Sequence, residues 1–192
     1  MKTKPYVVLV GMDFSELADR ALQEAFELAA RRERSEVHVL CVVPGASLVA
    51  HHSMAGYWLT SEAGVRDGVF ESLRAHVQAE YDAFVTRAAP GTRTPALVES
   101  HVRIDEPALG IVQLAAEIAA DLIVLGTHGQ HGPTRLLMGS VAENTVRYAG
   151  RPVLVIPLEK QGVARRNESA WPATTTAPRS VTHQPSVRPP AG

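Results

Sequence analysis

The stretch DLIVLGTHGQHGPTRLLMGSVAENTVRYAGRPVLVI, residues 121–156, decides the fold. An apolar run, Leu122 to Leu125, stops at Gly126. A second glycine follows at Gly129. After nine intervening residues comes Gly139, followed at once by Ser140 and a helical pattern that closes at Gly150. The spacing is Gly-x2-Gly-x9-Gly-Ser, and a short β-branched run, Val153 to Ile156, completes it. Strand, glycine loop, helix and strand in that order is one crossover unit of a parallel sheet. Glycines let a backbone approach an anion with no side chain in between. The first turn of the helix adds unpaired N–H groups and the positive end of a dipole. Taken alone, the glycines fit two readings equally: a phosphate cradle, or turn geometry with no ligand. Ser140 has the same ambiguity, as a cap for its own helix or as a phosphate contact.

Upstream, the chain repeats this alternation. Tyr6 to Val10 is a buried strand ending at Gly11. The turn Met12-Asp13-Phe14-Ser15 leads to a helix over about 16–32, with Ala18, Ala21, Leu22, Ala25, Leu28 and Ala29 at core spacing. Asp13 to Glu16 reads as a capping box. A second strand spans 36–43 and is stopped by Pro44-Gly45. The segment 46–61 is irregular. A helix over about 64–88 buries Val69, Leu73, Val77, Tyr81, Phe84 and Ala88. A third strand covers 96–104. Asp105-Glu106-Pro107 starts the next helix, with the Asp near the cap and the Pro in the first turn. Ile111, Leu114, Ala115 and Ile118 face inward. The fourth strand runs from 121 to 126, the last helix from 140 to 149, and the fifth strand from 153 to 156. Five strands with helical crossovers imply a Rossmann-like α/β fold, with helices on both faces of a parallel sheet. Ligands of such sheets bind beyond the carboxyl ends of the strands. Asp13 and Gly126 both stand at such ends.

Composition narrows the function. Of the 192 residues 45% are hydrophobic, enough for one domain with a real core. The single cysteine, Cys41, sits in an apolar strand, which fits a reducing, cytoplasmic setting and inert packing. No run is expected to act as a signal peptide or membrane span. The net charge is −1. Residues 160–192 carry five basic residues against Glu168, which leaves an acidic body and argues against nucleic-acid binding. Composition shifts near residue 160. We therefore expect a folded domain over 1–159 and a Pro-, Ser-, Thr- and Ala-rich basic tail over 160–192 with too few large apolar residues to order itself.

Motifs exclude other functions. No lysine accompanies Ser140, so there is no P-loop. No Gly-x-Gly-x-x-Gly follows the first strand, against a nicotinamide dehydrogenase. No Ser-His-Asp arrangement is identifiable. His51, His52, His128 and His131 lie in two loops of the same sheet edge without a metal-ligand spacing, and no protein-held metal is expected there. A Mg²⁺ carried mainly by ligand phosphates needs few protein ligands. Tyr57 and Trp58 read as packing over the sheet rather than as a lid.

The block GTHG…LLMGSVAENTVRYAGRPVLVIP resembles the C-terminal signature of the universal stress protein family, in its ATP-binding branch. VVLVGMDFSELADRAL and DLIVLGTHG agree, and the resemblance covers residues 4–158. It implies a five-stranded parallel sheet of order 3-2-1-4-5. It implies ATP or another adenine nucleotide as ligand, with Mg²⁺ as companion. It places Asp13 near adenine and ribose, and Val42 or Val43 beside adenine. Gly126, Gly129, Gly139, Ser140 and Val141 correspond to the ribose- and phosphate-contacting set. Gly11, Met12, Thr127 and His128 complete the expected site. Two departures stand out: Gln130 where an Arg is frequent, and His131-Gly132-Pro133 in place of a small polar residue and Gly. The resemblance also implies a homodimer through the fifth strand, Val153 to Ile156, whose apolar edge needs covering. The expected role is a nucleotide-dependent stress-response sensor or interaction module. No enzyme is expected, with at most very slow ATP hydrolysis, for no catalytic base or cationic finger is found. A nucleotide-free scaffold and a slow adenine-nucleotide hydrolase are the alternatives.

Overall fold

In the computed structural model, which describes residues 4–45, 62–128 and 138–157, the apolar run at the start of the chain forms β1 (Tyr6–Gly11). Its centre, Val7 to Val10, is buried on both faces. That is why it reads as an unbroken run of apolar residues rather than an alternation. It pairs in parallel with β2 (Ser35–Val43) on one side and β4 (Leu122–Gly126) on the other. β3 (Leu97–Ile104) joins outside β2, and β5 (Val153–Ile156) outside β4. The order is β3-β2-β1-β4-β5, all parallel, as the resemblance implies. The chain leaves β1 toward β2 and later returns to β4 on the opposite side. The order therefore reverses at the carboxyl end of β1, the place where sheets of this kind take their ligands.

Two helices cover each face. α1 (Glu16–Ala30) and α2 (Glu62–Arg87) pack on one, where Leu22, Phe26, Leu73, Val77 and Phe84 meet Val8, Val10, Val37 and Val39. α3 (Pro107–Glu117) and α4 (Ser140–Tyr148) cover the other, where Ile111, Leu114 and Ala115 meet Val7, Leu9, Leu40 and Ile123. Phe26 is fully buried and was not among the core positions expected from spacing. It meets Tyr81 and Phe84 of α2 at ring-centroid distances of 5.5 and 5.4 Å. Burying such a ring is worth about 1.5–3 kcal/mol. Leu28, expected inside, is only half-buried. β3 is an outer strand, exposed at Leu97 and Glu99 and half-buried over the rest of its length.

The helix starts differ from expectation in one consistent way. Asp13 does not cap α1: Ser15 does, its Oγ accepting from the Ala18 N–H at 3.2 Å. Glu106, not Asp105, caps α3, accepting from the Leu109 N–H at 2.8 Å, with Pro107 opening the helix. Ser140 is the first residue of α4, and the cap position belongs to Gly139. In each case the chain enters the helix one or two residues from the position favoured by residue type. Gly150 closes α4 at φ +57°, a conformation that favours glycine. Among the described residues no helix is long and apolar enough to cross a membrane. The tail 160–192, His51, His52, Tyr57, Trp58, Gly129, Gln130 and His131 to Pro133 lie outside the described residues.

Candidate functional site

The carboxyl ends of β1 and β4 carry the expected site residues, and close packing brings them together. A Cβ on Gly11 would run into Leu125 Cδ2 of the neighbouring strand. At Gly126 a Cβ would lie 2.8 Å from Leu17 Cβ and 3.3 Å from the His128 carbonyl oxygen. The first turn of α1 therefore lies directly against the end of β4, and only glycine leaves room for it.

Beyond β1, Met12 is buried, and its N–H donates to the Leu40 carbonyl at 2.8 Å. This ties the turn to β2. Asp13 is half-buried and accepts from the Ser15 N–H at 3.1 Å and the Ser15 hydroxyl at 2.6 Å. Phe14 takes φ 60°, unusual for a residue with a side chain. Its ring stands edge-on to His76 of α2, and His76 Nε2 is 2.7 Å from Asp19 Oδ1. The turn is thus pinned from both sides. Val42 and Val43 end β2 half-buried, Val42 lying against Gly110 of α3.

Beyond β4, Thr127 is the hub. Its N–H donates to the Ile156 carbonyl at 2.9 Å, and its own carbonyl accepts from the Gly139 N–H at 2.6 Å. A Cβ on Gly139 would approach that carbonyl to 3.0 Å. The loop's exit is therefore drawn back onto the strand end it left. α4 starts there with no side-chain cap, and Ser140 is exposed. Val141 packs partly against the α3–α4 core. His128 Nδ1 lies 3.1 Å from Thr127 Oγ1, while His128 Nε2 is buried with no hydrogen-bond partner among the described residues. Nearby in β2, burial and the Asp13 carboxylate push the Cys41 thiol up to about 11, as suits an inert packing residue.

The arrangement has two ends. One is an acid at the β1 turn, an acceptor. The other is a helix N-terminus with no side-chain cap among the described residues, whose first amides are donors. Of the expected site residues only Gly129 falls outside the described part of the chain. A concavity of about 380 Å³ lined by Glu27, Arg31, Phe84 and Arg93 lies toward the carboxyl end of α1 and contains none of these residues.

The sequence profile of the universal stress protein family matches residues 7–157. The chain belongs to the universal stress protein family. Universal stress protein G of Shigella flexneri is 32% identical over 154 residues, spanning 80% of this chain and 98% of that protein. Among solved structures, hypothetical protein MJ0577 superposes with a TM-score of 0.63 at 21% identity, covering 82% of this chain and 99% of that one, a likeness of fold. The universal stress protein from Archaeoglobus fulgidus, solved in complex with dAMP, is 26% identical, with a TM-score of 0.50 over 81% of this chain and 99% of that one. Universal stress proteins are in general non-catalytic modules, in line with the expectation that this chain is not an enzyme.

Proposed function

We propose that this universal stress protein binds an adenine nucleotide, ATP included, at the crevice between the ends of β1 and β4, and works as a nucleotide-dependent sensor or interaction module. The observation that carries the reading is the start of α4. Gly139 is drawn to within 2.6 Å of the Thr127 carbonyl, and the helix behind it begins without a side-chain cap. Free amides and a positive dipole end suit phosphate oxygens. Asp13 offers the opposite chemistry, an acceptor for ribose hydroxyls or the adenine amine. The unpartnered His128 Nε2 is a further polar atom that a ligand would satisfy. The related Archaeoglobus fulgidus protein, solved with dAMP, supports the same ligand class.

In this reading Gly11, Met12, Asp13, Val42 and Val43 flank the base and ribose. Gly126, Thr127, His128, Gly129, Gly139, Ser140 and Val141 follow the phosphates, which carry any Mg²⁺. The protein is cytoplasmic and dimeric, the outer edge of β5 pairing with a second copy. Light scattering at micromolar concentration tests the dimer: the mass of one chain would overturn it.

The deciding experiment is to extract the nucleotide from protein purified without added ligand and identify it by mass spectrometry. An adenine nucleotide in the wild type, lost in Gly139→Val with an unchanged circular dichroism spectrum, is the expected result. No retained nucleotide and no thermal shift at millimolar ATP would favour the nucleotide-free scaffold. Multiple turnovers at ordinary enzyme rates would favour the hydrolase.

A further inference from the structure

We propose a divalent transition-metal site of the zinc class on the β2–β3 half of the sheet, built from His38, His101 and Glu99. β2 and β3 run in parallel with His38 opposite Glu99 and Leu40 opposite His101. Leu40 and Val42 face the α3 side of the sheet, so His38, two residues before Leu40, faces it too. Val98 and Val102 pack on the other face, which turns Glu99 and His101 toward His38.

The donor atoms converge. His38 is 6% exposed, and its Nδ1 lies 2.9 Å from His101 Nε2, the two rings stacked 22° from parallel. A Glu99 carboxylate oxygen lies 3.6 Å from the same Nδ1. One donor atom from each of the three residues falls within 4.8 Å of the others. Tetrahedral zinc with bonds of about 2.0–2.1 Å holds its ligand atoms about 3.3 Å apart. The 2.9 and 3.6 Å separations bracket that value. The remaining distance closes by rotation of Glu99, whose side chain is half exposed.

The surroundings fit as well. The other nitrogen of His38, Nε2, faces a Glu36 carboxylate oxygen at 3.8 Å. At that distance the carboxylate is not hydrogen-bonded, but its charge favours the proton on the far nitrogen and the lone pair on the one that faces the metal. Without metal, the His38 and His101 nitrogens share one proton across 2.9 Å. With metal, both lone pairs turn to the ion and that proton moves to the other nitrogen of His101 or to solvent. Two imidazoles and one carboxylate select zinc, cobalt or nickel over magnesium or calcium. A fourth position is left for water.

The test uses the full chain, stripped with a chelator, equilibrated with Zn²⁺, dialysed and assayed for bound metal. One zinc per chain is expected in the wild type. Glu99→Gln should weaken it at least tenfold and His101→Asn should abolish it. The triple substitution His51→Asn, His52→Asn and His128→Asn should leave it unchanged. Co²⁺ in place of zinc should give the intense visible absorption of a tetrahedral ion, lost in His101→Asn. Circular dichroism checks folding, and Glu99→Gln, altered at an exposed position, decides the case if His101→Asn does not fold. No zinc in the wild type, or uptake unaffected by Glu99→Gln and His101→Asn, overturns the proposal. So does loss of zinc in the triple variant alone.

Discussion

α1 and α4 begin at the carboxyl ends of neighbouring strands, and their first turns are finished in opposite ways. At α1 the Ser15 hydroxyl caps the Ala18 N–H, and Asp13 in turn accepts from both the Ser15 N–H and its hydroxyl. A carboxylate of the chain already occupies the positive end of that dipole. At α4 the capping position is a glycine with no side chain to offer. The same backbone feature is neutralised from within in one helix and left to the surroundings in the other. The contrast teaches why the crevice has a direction: an anion finds a place at α4 and repulsion at α1.

The comparison breaks first where the first turn of α1 meets the end of β4. Gly126→Val should be the largest effect, because its Cβ would meet Leu17 Cβ and the His128 carbonyl. The expected loss is about 1–3 kcal/mol, typical of overpacking, seen as a lower denaturant midpoint. Next is Gly139→Val, which pushes on the Thr127 carbonyl. It should cost about tenfold or more in nucleotide affinity by calorimetry and lower the melting temperature less than Gly126→Val does. Ser15→Ala should remove about 1 kcal/mol of stability while leaving nucleotide affinity within about twofold.

Ser140→Asp would make α4 resemble α1. An acid in the first turn should steady the helix by about 0.3–1 kcal/mol and weaken nucleotide binding at the same time, two opposite readings from one variant. The smallest effect concerns Cys41, which stands near Asp13. Its thiol is raised by burial first and by Asp13 second, to about 11 from an ordinary 9.0. The folded state therefore holds the proton longer than the unfolded chain. The stability this contributes is complete below about pH 9 and is lost as pH rises toward 11. The difference in denaturation midpoint between wild type and Cys41→Ala should follow that course. Asp13→Asn should speed alkylation of Cys41 at pH 9 slightly.

Much of the fold was legible because β1 and β4 are buried on both faces and write that burial as uninterrupted apolar runs. The glycine spacing around Gly126 and Gly139 was legible for a related reason: close approach to Leu17 and to the Thr127 carbonyl leaves no space for a side chain. Caps were less legible. Asp13, Asp105 and Ser140 are all good capping types, yet the entry angle of the chain gave the task to Ser15 and Glu106 and left Gly139 without one. Phe26 was missed because helical spacing admits it as readily as Leu28, and only Tyr81 and Phe84 of α2 decide between them. The pairing of His38 with His101 depends on the register between two strands, which alternation within either strand does not contain.

Thr127 has a consequence of its own. Its backbone is tethered on both sides, the N–H to the Ile156 carbonyl at the close of the edge strand and the carbonyl to the Gly139 N–H at the mouth of α4. A tug on the loop's exit reaches the rim of the sheet through a single residue, with no long relay of side chains between.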